Sequence, residues 1–157
     1  MNLPNIIAVA LALHFLASVI WIGGMFFAYI ALRPSAAQVL EPPLRLQLWV
    51  QVLRRFFIWV WAAVIILPVT GYWMVWKNWG GFANTSMDIT IMHIISWIMF
   101  FIYTYVFFVP YRRLSQAVAE QDYPNAGKEL AQIRFLVATN LTLGLLITVV
   151  ASAGRYL

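Results

Sequence analysis

His14 and His93 are the only imidazoles in the chain, and each interrupts a long apolar stretch. An ionisable group inside a bilayer is costly and usually faces the interior of a helix bundle with a partner, so both read first as functional residues. His14 lies about ten residues into its apolar segment, and His93 about eight residues after Thr85. If the two segments are helices running in the same direction, the rings reach similar depth, offset by about 3–5 Å. Taken singly, each histidine could equally be a hydrogen-bonding residue between helices. Two at one depth favour a shared ligand.

Neutral imidazole suits haem iron, copper and zinc. Zinc wants three or four protein ligands, yet no Asp or Glu interrupts an apolar segment and the chain has no cysteine. The missing cysteines also exclude disulfides, cysteine-held iron–sulfur clusters and covalently attached c-type haem. Haem b needs only one or two axial ligands and a flat apolar slot. Ser18 and Trp21 follow His14 at helical spacing, and Trp97 and Phe100 follow His93, as walls for such a slot. Gly71, next to Thr70, and Gly144, in the series Asn140, Gly144, Thr148 and Ser152, would let a macrocycle approach, although small residues at this spacing also serve plain helix packing. Lys77 and Arg155 could meet propionates, or act as interfacial anchors.

Copper is the competing guest. Thioethers select Cu(I), and Met74, Met87, Met92 and Met99 lie within reach of the histidine depth, with Met25 further along the first segment. No Met-rich tract concentrates sulfur at one point, and most of these residues read as apolar filler.

The elements that must position these residues follow from composition. The 157 residues are 64% hydrophobic, 10% charged and 17% aromatic, with mean hydropathy +0.84. A soluble domain is typically about half apolar and about a quarter charged, so this is an integral membrane protein. The net charge of +5 then reflects topology, and nucleic acid is not expected as a partner. A hydrocarbon core of about 30 Å takes about 20 helical residues. Four segments free of acid or base qualify, Ile6–Leu32, Phe56–Trp76, Ile89–Val109 and Phe135–Ala153, giving spans at about 4–32, 56–76, 87–109 and 135–154 within a single domain, 1–157. The first is too long for a signal-peptide core and lacks a basic leader, so it should be retained as a helix.

Arg33, Arg45, Arg54, Arg55, Arg112, Arg113, Lys128 and Arg134 are eight of the ten bases, and all fall in the two loops between spans one and two and spans three and four. The positive-inside bias puts those loops in the cytoplasm and both termini outside it. Pro42-Pro43 should separate the first loop from a helix starting near Leu44, whose Leu44, Leu48, Val52 and Phe56 repeat at helical spacing. Thr85 and Asp88 have capping-box spacing ahead of the third span. That helix should overrun the membrane through Pro110 to about Ala119, and Pro124-Asn125-Ala126-Gly127 should turn the chain into the fourth. The expectation is an all-α, up-down, four-helix membrane bundle with cytoplasmic helix extensions.

Leu13-His14, Trp21-Ile22-Gly23-Gly24, Leu32-Arg33-Pro34, Arg54-Arg55-Phe56-Phe57, Thr70-Gly71, Pro110-Tyr111-Arg112-Arg113-Leu114, Asn140-Leu141 with Gly144, and Gly154-Arg155-Tyr156 occur in one order. In that order the chain resembles the copper-resistance protein D (CopD) family of bacterial inner-membrane proteins. The resemblance implies a four-helix module associated with copper uptake. The first helix is also similar to that of the HemJ-type protoporphyrinogen oxidases, which implies haem b on a first-helix histidine, here His14. Those proteins carry a lysine in the third helix where this chain has His93. The reading preferred from sequence is haem b held by His14 and His93, serving electron transfer with a quinone or a periplasmic redox protein. Copper binding or transport is the alternative, and porphyrinogen oxidation a further one. Membrane lipid surrounds the bundle, and self-association into a homo-oligomer is compatible with it.

Overall fold

The computed structural model describes residues 3–153, and the side chains from residue 5 onward. Arg155 lies outside the described residues. The chain is helical almost throughout: α1 (Leu3–Phe27), a π-helical stretch (Ala28–Leu32), α2 (Arg33–Val39), α3 (Pro42–Trp79), a short 3-10 turn (Phe82–Asn84), α4 (Met87–Phe108), α5 (Pro110–Ala119) and α6 (Tyr123–Ala153). Four of these rods are long and apolar enough to cross a bilayer. Large apolar side chains such as Leu16, Ile58, Phe101 and Phe135 point outward on all four. This is a membrane helical bundle, since water offers no home for such a surface.

The first rod does not stop at Leu32. It runs on through Arg33-Pro34 to Val39, where a loop was expected. Pro34 lacks an N–H and its ring would press on the carbonyl of Ile30 in a regular α-helix. The backbone answers by widening, with the Arg33 N–H bonded five residues back to Ala28 O. Pro42 and Pro43 open α3 from inside its first turn, where a missing N–H costs nothing. The helix expected from the Leu44, Leu48, Val52 and Phe56 repeat is present; its inward face is Leu46, Trp49, Leu53, Phe57 and Val60, with Val52 and Phe56 packed at the edge and Leu44 exposed. Leu, Trp and Phe fill both candidate faces, and tertiary packing chose between them.

Two caps also differ from expectation. Ser86, not Thr85, precedes the first turn of α4, and the Thr85 hydroxyl instead donates to Phe82 O (2.8 Å), closing the 3-10 turn. Asp88 still lies in that first turn, where a carboxylate suits the helix dipole. Pro124 sits inside the first turn of α6, so the reversal between α5 and α6 falls earlier, at residues 120–122. Gln121 takes the left-handed conformation there (φ 59°), and the Asn125 N–H bonds to the Asp122 carboxylate at 3.2 Å. Pro110 breaks the third rod at Val109 rather than being carried through it.

The bundle is two tight hairpins, α1 against α3 and α4–α5 against α6, with α6 also touching α1 and α3. Small residues allow the close approaches. A Cβ added at Gly144 would sit 3.0 Å from Ile22 Cγ1 and 3.2 Å from Met99 Cε, and one at Gly24 would overlap the tip of the Phe56 ring. Between α3 and α4 the spacing is wider and aromatic. Phe57 and Trp61 of α3 meet Tyr103 and Phe107 of α4 edge to face there, with Trp61 and Tyr103 centroids 5.2 Å apart, and Phe57 also meets Tyr111 of α5 at 4.9 Å.

Gly23 and Gly24 give a matched pair for testing this packing. A Cβ at Gly23 meets nothing within 4 Å. Gly24→Ala should therefore cost about 1–3 kcal/mol of stability in detergent while Gly23→Ala is neutral. Thermal unfolding of both variants, and partial recovery in Gly24→Ala/Phe56→Leu, checks the contact.

Candidate functional site

The sequence-predicted residues fall into two groups, one on each side of α3. His14, half-buried on α1, places Nδ1 2.8 Å from the Thr70 hydroxyl on α3. Thr70 is itself buried, and its hydroxyl proton goes to Ile66 O at 2.6 Å. Leu67 O lies 3.2 Å away as a second carbonyl, and with its one proton on the α3 backbone Thr70 accepts from the ring. Donor counting thus assigns His14 as the Nδ1–H tautomer, with the lone pair on Nε2. Ligating histidines are commonly held this way, one nitrogen tied to an oxygen and the other offered to a metal. Gly71 supplies the room: an added Cβ would touch His14 Cε1 at 3.4 Å. Met74 stands one turn outward of Thr70 on the same face of α3.

His93 is held differently. Its Nε2 is 3.2 Å from the Tyr72 hydroxyl, which accepts from Trp97 Nε1–H at 3.1 Å and so has its own proton for the imidazole. The rings of Phe82 (4.8 Å), Tyr72 (5.2 Å) and Trp97 (6.3 Å) surround it. Nε2 of His93 is thus engaged, whereas the hydrogen bond found for the His14 ring among the described residues is at Nδ1. Thr70 and Tyr72 are two residues apart, about 200° around the helix. The two imidazoles sit against nearly opposite faces of α3, and among the described residues no bond or ring contact joins them.

Depth can be read from the contact of Trp21 with Tyr103, whose ring centroids are 6.0 Å apart. With those residues level, His93 stands about three residues outward of His14, roughly 4.5 Å. The Met99 thioether end lies with Ile22 against Gly144, about two turns inward of His14, and Met25 is deeper still. Both methionines are fully buried, so two thioethers line the interior below the imidazole.

The remaining expected residues do other things. The Ser18 hydroxyl donates to the His14 carbonyl at 2.9 Å and serves the backbone rather than the ring. Trp21 belongs to the core, while Trp97 faces the His93 cluster and Phe100. Gly144 is a helix-crossing residue between Ile22 and Met99. Lys77 is exposed in the last turn of α3, where a cation suits the dipole. No group of three or more His, Cys, Asp or Glu side chains among the described residues could hold a metal ion. Any metal here would rely on imidazole and thioether. Tyr72 was missed from sequence because an interfacial tyrosine near Trp73 and Trp76 reads as part of an aromatic belt.

The sequence model of one family, described as copper resistance protein D, matches residues 50–153. That stretch, about two thirds of the chain, contains Thr70, Gly71, Tyr72, His93, Met99 and Gly144 but not His14. No curated protein and no solved structure matches the chain.

Thr70→Val keeps the shape of the His14 site and removes its oxygen. The tautomer should then lose its preference, seen as movement of the His14 nitrogen shifts in 15N-histidine NMR spectra. Tyr72→Phe should move only the His93 signals.

Proposed function

The chain belongs to the copper-resistance protein D family, and from that premise we propose that it binds Cu(I) within a bacterial inner membrane and passes it along the bundle, with His14 as first ligand. The observation that carries this reading is the Thr70 hydroxyl fixing the His14 tautomer, which leaves Nε2 open toward a Lewis acid. Imidazole followed inward by the thioethers of Met99 and Met25 is a soft donor series, and soft donors select Cu(I). The copper ion is cargo in this scheme. The positive-inside bias of the arginines supports an orientation in which His14 lies nearer the periplasm and receives the ion from that side.

Haem b between His14 and His93 fits these residues less well. Both rings would have to address one iron, while they rest on opposed faces of α3 and Tyr72 engages the His93 nitrogen. Electron transfer or porphyrinogen oxidation through such a haem has no further support from the side chains.

Cu(I) competition against a chromophoric chelator, with the full chain in lipid nanodiscs, tests the reading. Wild type should take up copper, His14→Ala and Thr70→Val should each weaken it by about ten- to a hundredfold, and His93→Ala should change it little. Equal affinity in wild type and His14→Ala overturns the assignment. A six-coordinate haem spectrum lost in both His14→Ala and His93→Ala would reinstate haem.

A further inference from the structure

At the arginine-bearing end of the bundle, away from both histidines, Arg33, Arg45 and Arg134 converge with Tyr29, Pro34 and Ala37 on an open pocket of about 440 Å³. Arg33 and Arg45 lie near enough to Arg134 to repel its charge. The Arg33 guanidinium stacks over the Tyr29 ring at 4.9 Å, and the ion pair found among the described residues, Arg113 with Glu129, involves none of the three arginines. Three like charges gathered without a carboxylate destabilise the empty site, and an anion of matching size relieves them.

A second observation points the same way. Tyr29, Arg33 and Arg134 also line an inner cavity of about 50 Å³ in the apolar core. Trp49 Nε1, Arg134 Nε and Asn140 Oδ1, on residues that line this cavity, are buried and have no hydrogen-bond partner among the described residues. Trp49 and Asn140 are only 5% and 3% exposed. Buried polar groups are nearly always satisfied, so the orphaned Nε–H of Arg134, a residue that also lines the open pocket, is a donor in want of a partner there.

We propose that this pocket is a binding site for a phosphate-bearing anion, clamped by Arg33, Arg45 and Arg134, with the unpartnered Arg134 Nε–H donating at its inner edge. Guanidinium groups match phosphate oxygens in pairs, and a basic recess between helices at one membrane face suits either an acidic phospholipid headgroup or free phosphate. The site is independent of the copper reading, because it uses none of the same residues.

Thermal unfolding of the full chain distinguishes the sources. In phosphatidylcholine nanodiscs, inorganic phosphate should raise the midpoint of wild type beyond an ionic-strength-matched chloride control if the ligand is free phosphate. Nanodiscs containing phosphatidylglycerol should raise it instead, with that lipid retained in native mass spectra, if the ligand is a headgroup. Arg45→Gln and Arg134→Gln should each weaken the response about tenfold in ligand concentration, whereas Arg112→Gln, at an exposed position, should leave it intact. With no anion present, Arg134→Gln should unfold at a higher temperature than wild type, because it relieves the repulsion. No stabilisation by either phosphate source, or an equal response in Arg134→Gln and wild type, overturns the proposal.

Discussion

An imidazole surrounded by hydrocarbon has to find its hydrogen-bond partners within the protein, and much of the outer half of this bundle follows from that requirement. Leaving a buried polar group unpaired costs about 1–3 kcal/mol. His14 meets the requirement through Thr70, and Thr70 through the Ile66 carbonyl, so a side chain on α1 is tied to the backbone of α3 by two successive bonds. His93 meets it through Tyr72, which Trp97 also engages. Because Thr70 and Tyr72 project from different faces of one helix, satisfying both histidines fixes the rotation of α3 about its own axis. Function and packing are thus coupled through a single helix.

The hairpins around that helix use opposite means. Between α1 and α3, and between α4 and α6, the chains approach closely, and the space for an added Cβ at Gly24 or Gly144 is already taken. In lipid, where apolar surface gains nothing from leaving its surroundings, close contact and directional bonds must hold helices together. Across the α3–α4 seam, bulky rings interlock edge to face at longer backbone separation, and Tyr103 adds a bond to Phe57 O at 3.2 Å. That seam leaves room for the internal cavity, which Phe57, Val60, Tyr103 and Val106 help to line.

The four rods and their lengths were legible because hydrocarbon thickness and the scarcity of charge act on composition alone. The ends were harder. The first span is expected to end near residue 32, but a π-helical widening lets the helix run on through Pro34, and no local signal announces it. Thr85 and Ser86 are both good caps, and one residue of register separated them. The inward face of early α3 could not be chosen from a segment rich in Leu, Val, Trp and Phe on every side. For the site, the histidines stood out as rare polar residues in apolar runs, and similar depth follows from helical rise. What helical rise lacks is azimuth. Which way each ring turns depends on Thr70 and Tyr72, whose partners lie 56 and 21 residues away in the chain.

The gathered arginines give the bundle an electrical gradient along its length. A monovalent cation moving from the thioether of Met25 toward that end meets three positive groups, each opposing it by about 2 kcal/mol at roughly 8 Å and an effective dielectric near 20. The soft ligands alone would invite an ion to the midplane and then hold it there. An anion seated among the arginines would flatten this slope, so the load on one mouth of the bundle sets how far a positive ion can travel from the other. Chemistry at the two ends, though spatially separate, then acts on one shared coordinate, the height of the ion in the membrane.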